Sequence, residues 1–155
     1  MRAPSNGVAV TDVSATTADA NSREVLAAGL IGVPAPAIAP HRALGLSDAD
    51  ALRAFELMLL ARRISERALK LAMQGRVPIS IPADGHEAAQ VGSTLTLRPQ
   101  DVIHPFYRGL AAALARGMSP LELFLDMFGR AASPSSGGRQ MPGHWSRADL
   151  RMITP

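Results

Sequence analysis

The sequence predicts a mainly α-helical domain over residues 46–155, behind a disordered tail of residues 1–45. Three observations predict it. Apolar residues recur at three- and four-residue steps from about residue 48 to 74, the period of one helix face. Ser47 with Asp50, and Ser119 with Glu122, have the capping-box spacing, in which two side chains satisfy orphan N–H groups of a first turn. Gly75, Gly117 and Gly129 follow the periodic segments, where helices stop.

The elements follow in order. Residues 1–45 are rich in Ala, Val, Pro and Thr and hold no sustained period. Pro34, Pro36 and Pro40 each oppose helix in the residue before them. Only Ser22–Leu30 could form a short helical piece. The long helix carries an apolar stripe of Leu57, Leu60, Ala61, Ile64, Ala68, Leu71 and Ala72, with Arg62, Arg63, Glu66, Arg67 and Lys70 mostly off it. Residues 77–85, VPISIPADG, contain two prolines and form a loop, or a short edge strand at most. Asp84 and Glu87 offer a cap for a helix over 85–97. Ala88, Ala89, Gly92 and Ser93 on that helix admit a close neighbour, which predicts burial. Residues 101–108, DVIHPFYR, predict a brief buried strand leading into a loop. A helix over 109–116 comes next. Pro120 at a first-turn position then opens a helix to about Phe128, apolar nearly all round and in need of partners on several sides. Residues 130–147 contain Ser-Pro-Ser-Ser-Gly-Gly and read as a mobile loop. The chain closes on the apolar Met152-Ile153-Thr154-Pro155.

Composition excludes several functions. The net charge is +3, from 16 basic against 13 acidic residues. Fifteen of the basic residues are Arg, scattered without a run of like charges, so no nucleic-acid-binding tail is expected. There is no Cys, which removes a disulfide framework and a thiolate metal site. The apolar stretches are short and broken by proline, so no membrane span is expected. No secretory signal is visible, and a cytoplasmic protein is expected. Four scattered His give no metal-ligand spacing.

Two segments could carry chemistry. Tyr107-Arg108 offers a planar fork of donors and a hydroxyl, a set suited to phosphate or carboxylate. The dipeptide alone favours a blander reading, an Arg paired with a surface acid beside a Tyr packed at a core edge. In Gly137-Gly138-Arg139-Gln140-Met141-Pro142-Gly143-His144-Trp145, glycines permit close approach to a ligand and His144 could shuttle a proton. A solvated loop with an incidental His fits as well. His86 suits a surface or capping role. His104, before a proline, suits a buried, hydrogen-bonded one.

Taken in series, RRISERALKLAMQGR (62–76), DGHEAAQVGSTLTLRPQDVI (84–103), YRGLAAALARGMSPLELFLDMFGR (107–130), GGRQMPGHW (137–145) and ITP (153–155) resemble the alpha subunit of the thiamine diphosphate-dependent first component of 2-oxo acid dehydrogenase complexes. The resemblance implies the N-terminal part of a doubly wound α/β fold that works as an α2β2 heterotetramer with a beta subunit. It implies decarboxylation of a 2-oxo acid on thiamine diphosphate and passage of the acyl group to a lipoyl acyltransferase core. Tyr107 and Arg108 match the family pair that contacts the diphosphate. His144 matches a His in a loop near the site, a candidate catalytic residue.

Two departures from the family pattern stand out. Where pyruvate-type members carry a His, this chain has about Ile81, and His86 stands for a Gln. With GRQMPGHW, this favours the branched-chain type. The Gly-Asp-Gly motif that holds Mg2+ is expected in a missing C-terminal half of the subunit, so the metal ligands lie outside this chain. The isolated chain is then expected to be inactive. The alternative is a non-catalytic remnant or an assembly fragment that docks on an intact complex.

Overall fold

A computed structural model describes residues 40–154. The conceivable helix at 22–30, and most of the predicted tail, lie outside the described residues. Within them the chain forms helices α1 (Pro40–Ala43), α2 (Asp48–Met73), α3 (Glu87–Leu95), α4 (Leu110–Arg116) and α5 (Pro120–Met127), then a 3-10 turn at Ala148–Leu150. The turn of α1 lies inside the stretch expected to be tail. Proline is compatible with a helix's first turn, so Pro40 opens a helix although it opposes one before it. His41 and Arg42 then reach forward to the Asp48 carboxylate.

Both predicted capping boxes form. Ser47 Oγ accepts from Asp50 N at 3.2 Å while Asp50 Oδ2 accepts from Ser47 N at 2.9 Å. Ser119 and Glu122 repeat the exchange at 3.3 and 2.8 Å. Such caps each contribute about 1 kcal/mol. Asp84 and Glu87 do not form a third. His86 is the N-cap of α3 without a side-chain bond, and Glu87 instead accepts from Gly85 N at 2.8 Å and from Arg62 Nε at 2.6 Å.

The core is one cluster. Leu57, Ala61, Ile64, Ala68 and Leu71 of α2 meet Val91 of α3, Leu110, Ala113 and Leu114 of α4, and Leu123 and Met127 of α5. Helices α3 and α4 pack on each other and both lie against α2. Leu60, placed on the buried stripe by its spacing, points outward, and Ser65 takes an inward position.

Three expectations are corrected. On α3 the buried side chains are Glu87, Val91 and Thr94, while Ala88, Ala89, Gly92 and Ser93 face outward. A Cβ added at Gly92 would meet nothing within 4 Å, because α4 packs on the Val91 side. Residues 101–108 form no strand. Ile103 makes one parallel bridge to Met152, and Pro105 and the turn at Tyr107 end the pairing. His104 is exposed rather than buried. Among the described residues there is no strand at all, and no helix is long and apolar enough to cross a membrane.

A polar side chain fastens the chain's end. The Arg116 guanidinium donates to the carbonyls of Arg98, Pro99, Asp101 and Leu150 at 2.6–3.2 Å. This ties the loop after α3 to the turn before Met152. Met152, from the apolar terminal stretch, is 1% exposed.

Candidate functional site

Three irregular segments converge on one cleft: residues 79–81, the turn at Tyr107, and residues 142–145. Its walls include Ser65, Ser80, Tyr107, Gly143 and Trp145, around a cavity of about 20 Å³. That is space for about one water. The buried Trp145 on its wall has an indole N–H with no acceptor in the chain among the described residues.

Tyr107 lines the cleft, and Arg108 follows it in the chain. The Arg108 guanidinium lies 5.6 Å from the centroid of the Tyr107 ring, a cation–π contact. One of its N–H groups donates to Pro82 O at 2.7 Å. Among the described residues, its remaining N–H groups and the Tyr107 hydroxyl make no hydrogen bond within the chain. Tyr107 is 42% exposed and stacks edge-on against Phe106 at 5.0 Å. The pair therefore presents unspent donors to the outside, the arrangement an anion requires.

Gln90, which sequence reasoning missed, holds this pair in place. Its Nε2 donates to Arg108 O at 2.9 Å, and its Oε1 accepts from Ala111 N and Ala112 N at 3.0 and 3.3 Å. One amide thus satisfies orphan N–H groups of α4 and fixes the backbone of Arg108. The Arg62–Glu87 ion pair anchors the start of α3. The Arg62 guanidinium holds the Glu87 carboxyl below its ordinary range, against the opposing effect of burial.

The glycine loop, which its composition suggests is mobile, carries a network of hydrogen bonds. Ser133, Ser135 and Ser136 turn inward and bond the loop to itself: Ser135 Oγ accepts from Ser146 N, and Ser136 Oγ accepts from Arg139 N and Gln140 N. Asp126, at 2% exposure, accepts from Gly143 N at 3.0 Å and from Ser133 Oγ at 3.3 Å. Burial raises the Asp126 carboxyl above its ordinary range, and those donors partly offset the shift. Gly143 has φ +97, and a Cβ there would stand 3.2 Å from Tyr107 O. Only glycine combines that backbone with that approach.

His144 follows directly. Its Nδ1 lies 2.9 Å from Met141 O, an atom that only accepts, so Nδ1 carries the proton. In the neutral ring Nε2 is then left to accept one. The fold thus brings Tyr107, Arg108 and the His144 loop together, through Gly143. It leaves His86 and His104 outside the cleft. The signal for Asp126 was present: it is the single acid in the last turn of the helix, after the apolar Leu123, Phe124 and Leu125. No group of three or more His, Asp or Glu able to hold a metal occurs among the described residues.

Comparison with known proteins gives a consistent result. The family described as "Dehydrogenase E1 component" matches residues 55–155. The 2-oxoisovalerate dehydrogenase subunit alpha of Bacillus subtilis is 45% identical over 115 residues, which are 74% of this chain and 35% of that protein. An Arabidopsis thaliana mitochondrial 2-oxoisovalerate dehydrogenase subunit alpha 2 is 32% identical over 109 residues, 70% of this chain and 23% of that protein. The pyruvate dehydrogenase E1 component subunit alpha of Acholeplasma laidlawii is 36% identical over 78 residues, 50% of this chain and 23% of that protein. The chain spans about a third or less of the length of these curated relatives.

Proposed function

The chain belongs to the dehydrogenase E1 component family, and on that premise we propose that it is the N-terminal part of the alpha subunit of a thiamine diphosphate-dependent 2-oxo acid dehydrogenase. We read its helical unit as part of a doubly wound α/β fold, working in the cytoplasm. The branched-chain 2-oxo acids are the proposed substrates. This rests on the 45% identity to the Bacillus subtilis relative and on Ile81, an apolar side chain on the cleft wall. The proposed partners are a beta subunit, the remainder of the alpha subunit and a lipoyl acyltransferase core. The outward apolar residues of α2, Leu52, Phe55 and Leu59, and the outward small-residue face of α3 support such partners.

One observation supports the cofactor reading above the others: adjacent unspent donors on Tyr107 and Arg108, fixed from behind by Gln90 and Pro82. These residues fit a diphosphate. Arg108 would take two of its oxygens with a planar fork, and the Tyr107 hydroxyl would donate to a third. Thiamine diphosphate supplies, when bound, the electron sink for loss of CO2. Mg2+ would accompany it on ligands outside this chain. His144, with Nε2 free, would hold or move a proton at the edge of the cleft.

The test is calorimetric titration with thiamine diphosphate and Mg2+, on the chain alone and on the chain assembled with the rest of the alpha subunit and the beta subunit. Binding is expected in the assembly. Each charged hydrogen bond removed should cost about 1.5–3 kcal/mol, so Arg108→Ala should weaken binding at least tenfold and Tyr107→Phe less. An assembled, folded complex that binds equally well with both substitutions would overturn the assignment of these residues. A folded assembly that binds no cofactor would leave the docking-fragment reading instead.

A further inference from the structure

Asp126 is a carboxylate with almost no water access, and nothing in the proposed chemistry uses it. A buried carboxylate is expensive unless its oxygens are hydrogen-bonded. Here both are engaged, and their partners all come from one loop: Gly143 N on Oδ2 and Ser133 Oγ on Oδ1. Residues 133 and 143 are the two ends of the segment that leads to His144. Asp126 therefore grips that loop at both ends from a helix whose other inward residues, Leu123 and Met127, are locked in the core.

The grip is transmitted further. Gly143, held by Asp126, lies against the backbone of Tyr107, where an added Cβ would stand 3.2 Å from Tyr107 O in a left-handed backbone of φ +97. Met127, the next residue of α5, lines the same cleft as Tyr107, Gly143 and Trp145. We propose that Asp126 is a positioning residue: by its hydrogen bonds to Gly143 N and Ser133 Oγ it seats the glycine loop on Tyr107, and so fixes Tyr107, Arg108 and His144 relative to one another. The role rests on the cofactor reading above only for its consequence; the seating itself is independent of any ligand. The part played is that of acceptor rather than charge. An amide could accept from Gly143 N with its oxygen and donate to the Ser133 hydroxyl with its NH2.

The chain contains its own reporter. Tyr107 is its one Tyr and Trp145 its one Trp, and both line the cleft. Excitation of Tyr107 should therefore appear as emission from a buried, blue-emitting Trp145. The experiment compares Asp126→Ala and Asp126→Asn in the full chain, by Tyr-to-Trp energy transfer and by the Trp145 emission maximum, with helicity checked by circular dichroism. The same variants are titrated with thiamine diphosphate and Mg2+ in the assembly.

Asp126→Ala is expected to shift Trp145 emission to the red, to lose most of the transfer, and to weaken cofactor binding on the order of tenfold. Asp126→Asn is expected to restore all three. Gly143→Ala, which strikes the same contact from the other side, should copy the Ala variant and decides the matter if Asp126→Ala does not fold. Unchanged spectra in the Ala variant, or an Asn variant as damaged as Ala, would overturn the proposal. Changed spectra with unchanged cofactor affinity would overturn it too. If the unsubstituted assembly binds no cofactor, the cofactor reading fails, while the spectra still decide whether Asp126 seats the loop.

Discussion

Helices α2 to α5 and the loop from residue 129 to 147 are held by different physics. The helices bury Leu57, Ile64, Val91, Leu114 and Leu123 at 4% exposure or less, and their fit is set by apolar area. The loop contributes few apolar residues to the core, chiefly Trp145. It is held by inward hydroxyls, by Asp126 and by Arg147, whose guanidinium reaches Glu122 at 2.6 Å and Asp149 at 3.0 Å. Hydrophobic burial tolerates small shifts of geometry, whereas hydrogen bonds do not. The candidate site lies on the boundary: the scaffold presents Tyr107 and Arg108, and the loop closes on them.

The largest expected effect tests the scaffold. Leu123 has no exposed surface and packs in the shared core, so Leu123→Ala should cost about 2–5 kcal/mol. Urea unfolding followed by far-ultraviolet circular dichroism would read this as a lower midpoint. Because α5 also carries Asp126, Tyr-to-Trp transfer should fall in the same transition. Two separate transitions would break the view that the loop is seated on a cooperative scaffold.

A smaller, local effect tests the loop. Gly138 has φ +75, and an added Cβ would stand 2.4 Å from Gly129 O, a backbone atom that cannot swing aside. Gly138→Ala should cost about 1–3 kcal/mol of strain. Hydrogen exchange should show the damage in residues 129–147 with α2 to α4 unaffected. Uniform loss of protection across all helices would erase the contrast between the regions.

The same contrast explains what was legible. The helix starts at Ser47 and Ser119, the buried stripe of α2 and the stops after each helix follow from side chains acting on their own backbone or at a fixed period. Tyr107, Arg108 and His144 stood out as candidates through the family pattern, and the fold adds that Gly143, beside His144 in the chain, lies against Tyr107. What escaped were roles defined by distant partners. Gln90 matters because Arg108, Ala111 and Ala112 converge on one amide, and no local period encodes that. The loop looked mobile because Ser and Gly are usually solvated. Their bonds here run to one another and to distant groups, Asp126 of a neighbouring helix and Glu122 through Arg147. The outward face of Ala88 and Gly92 was misread because small side chains report close packing without saying which neighbour supplies it.

A cap gives a third, weaker test. Ser119→Ala removes the hydroxyl that accepts from Glu122 N and should cost about 1 kcal/mol. It should also loosen Glu122, which accepts from Arg147 of the loop. If the loop depends on α5 through this side as well as through Asp126, the transfer signal should weaken slightly with the helix. Loss of stability without any change in transfer would assign the seating to Asp126 and Ser133 alone.

The smallest expected effect separates the regions by pH. Glu87, in the scaffold, is held below its ordinary range by Arg62. Its contribution is present above the unfolded carboxyl value, about pH 4.3, and is lost as pH falls through the lower folded value. Asp126 has the opposite sign. Its folded carboxyl is raised by burial, so its contribution is full below the unfolded value of about pH 3.9 and is lost as pH rises through the raised folded value. Protonation leaves one oxygen to accept from Gly143 N, so acid spares the loop's anchor while it weakens the anchor of α3. His144, the charged group nearest in effect to Asp126, favours the ionised carboxylate when protonated and narrows this difference. Acidification below about pH 4.3 should therefore lower the protection of the Gly85 and Glu87 amides, taken relative to their intrinsic exchange rates, before it lowers that of Gly143. Asp126→Asn should gain stability relative to the unsubstituted chain as pH rises above about 4, and Glu87→Gln should lose it as pH rises through the lowered Glu87 value toward about 4.3 and stay level above that. Exchange that rises first at Gly143 would mean that Asp126 acts through its charge, and the two regions would then differ in packing but not in electrostatics.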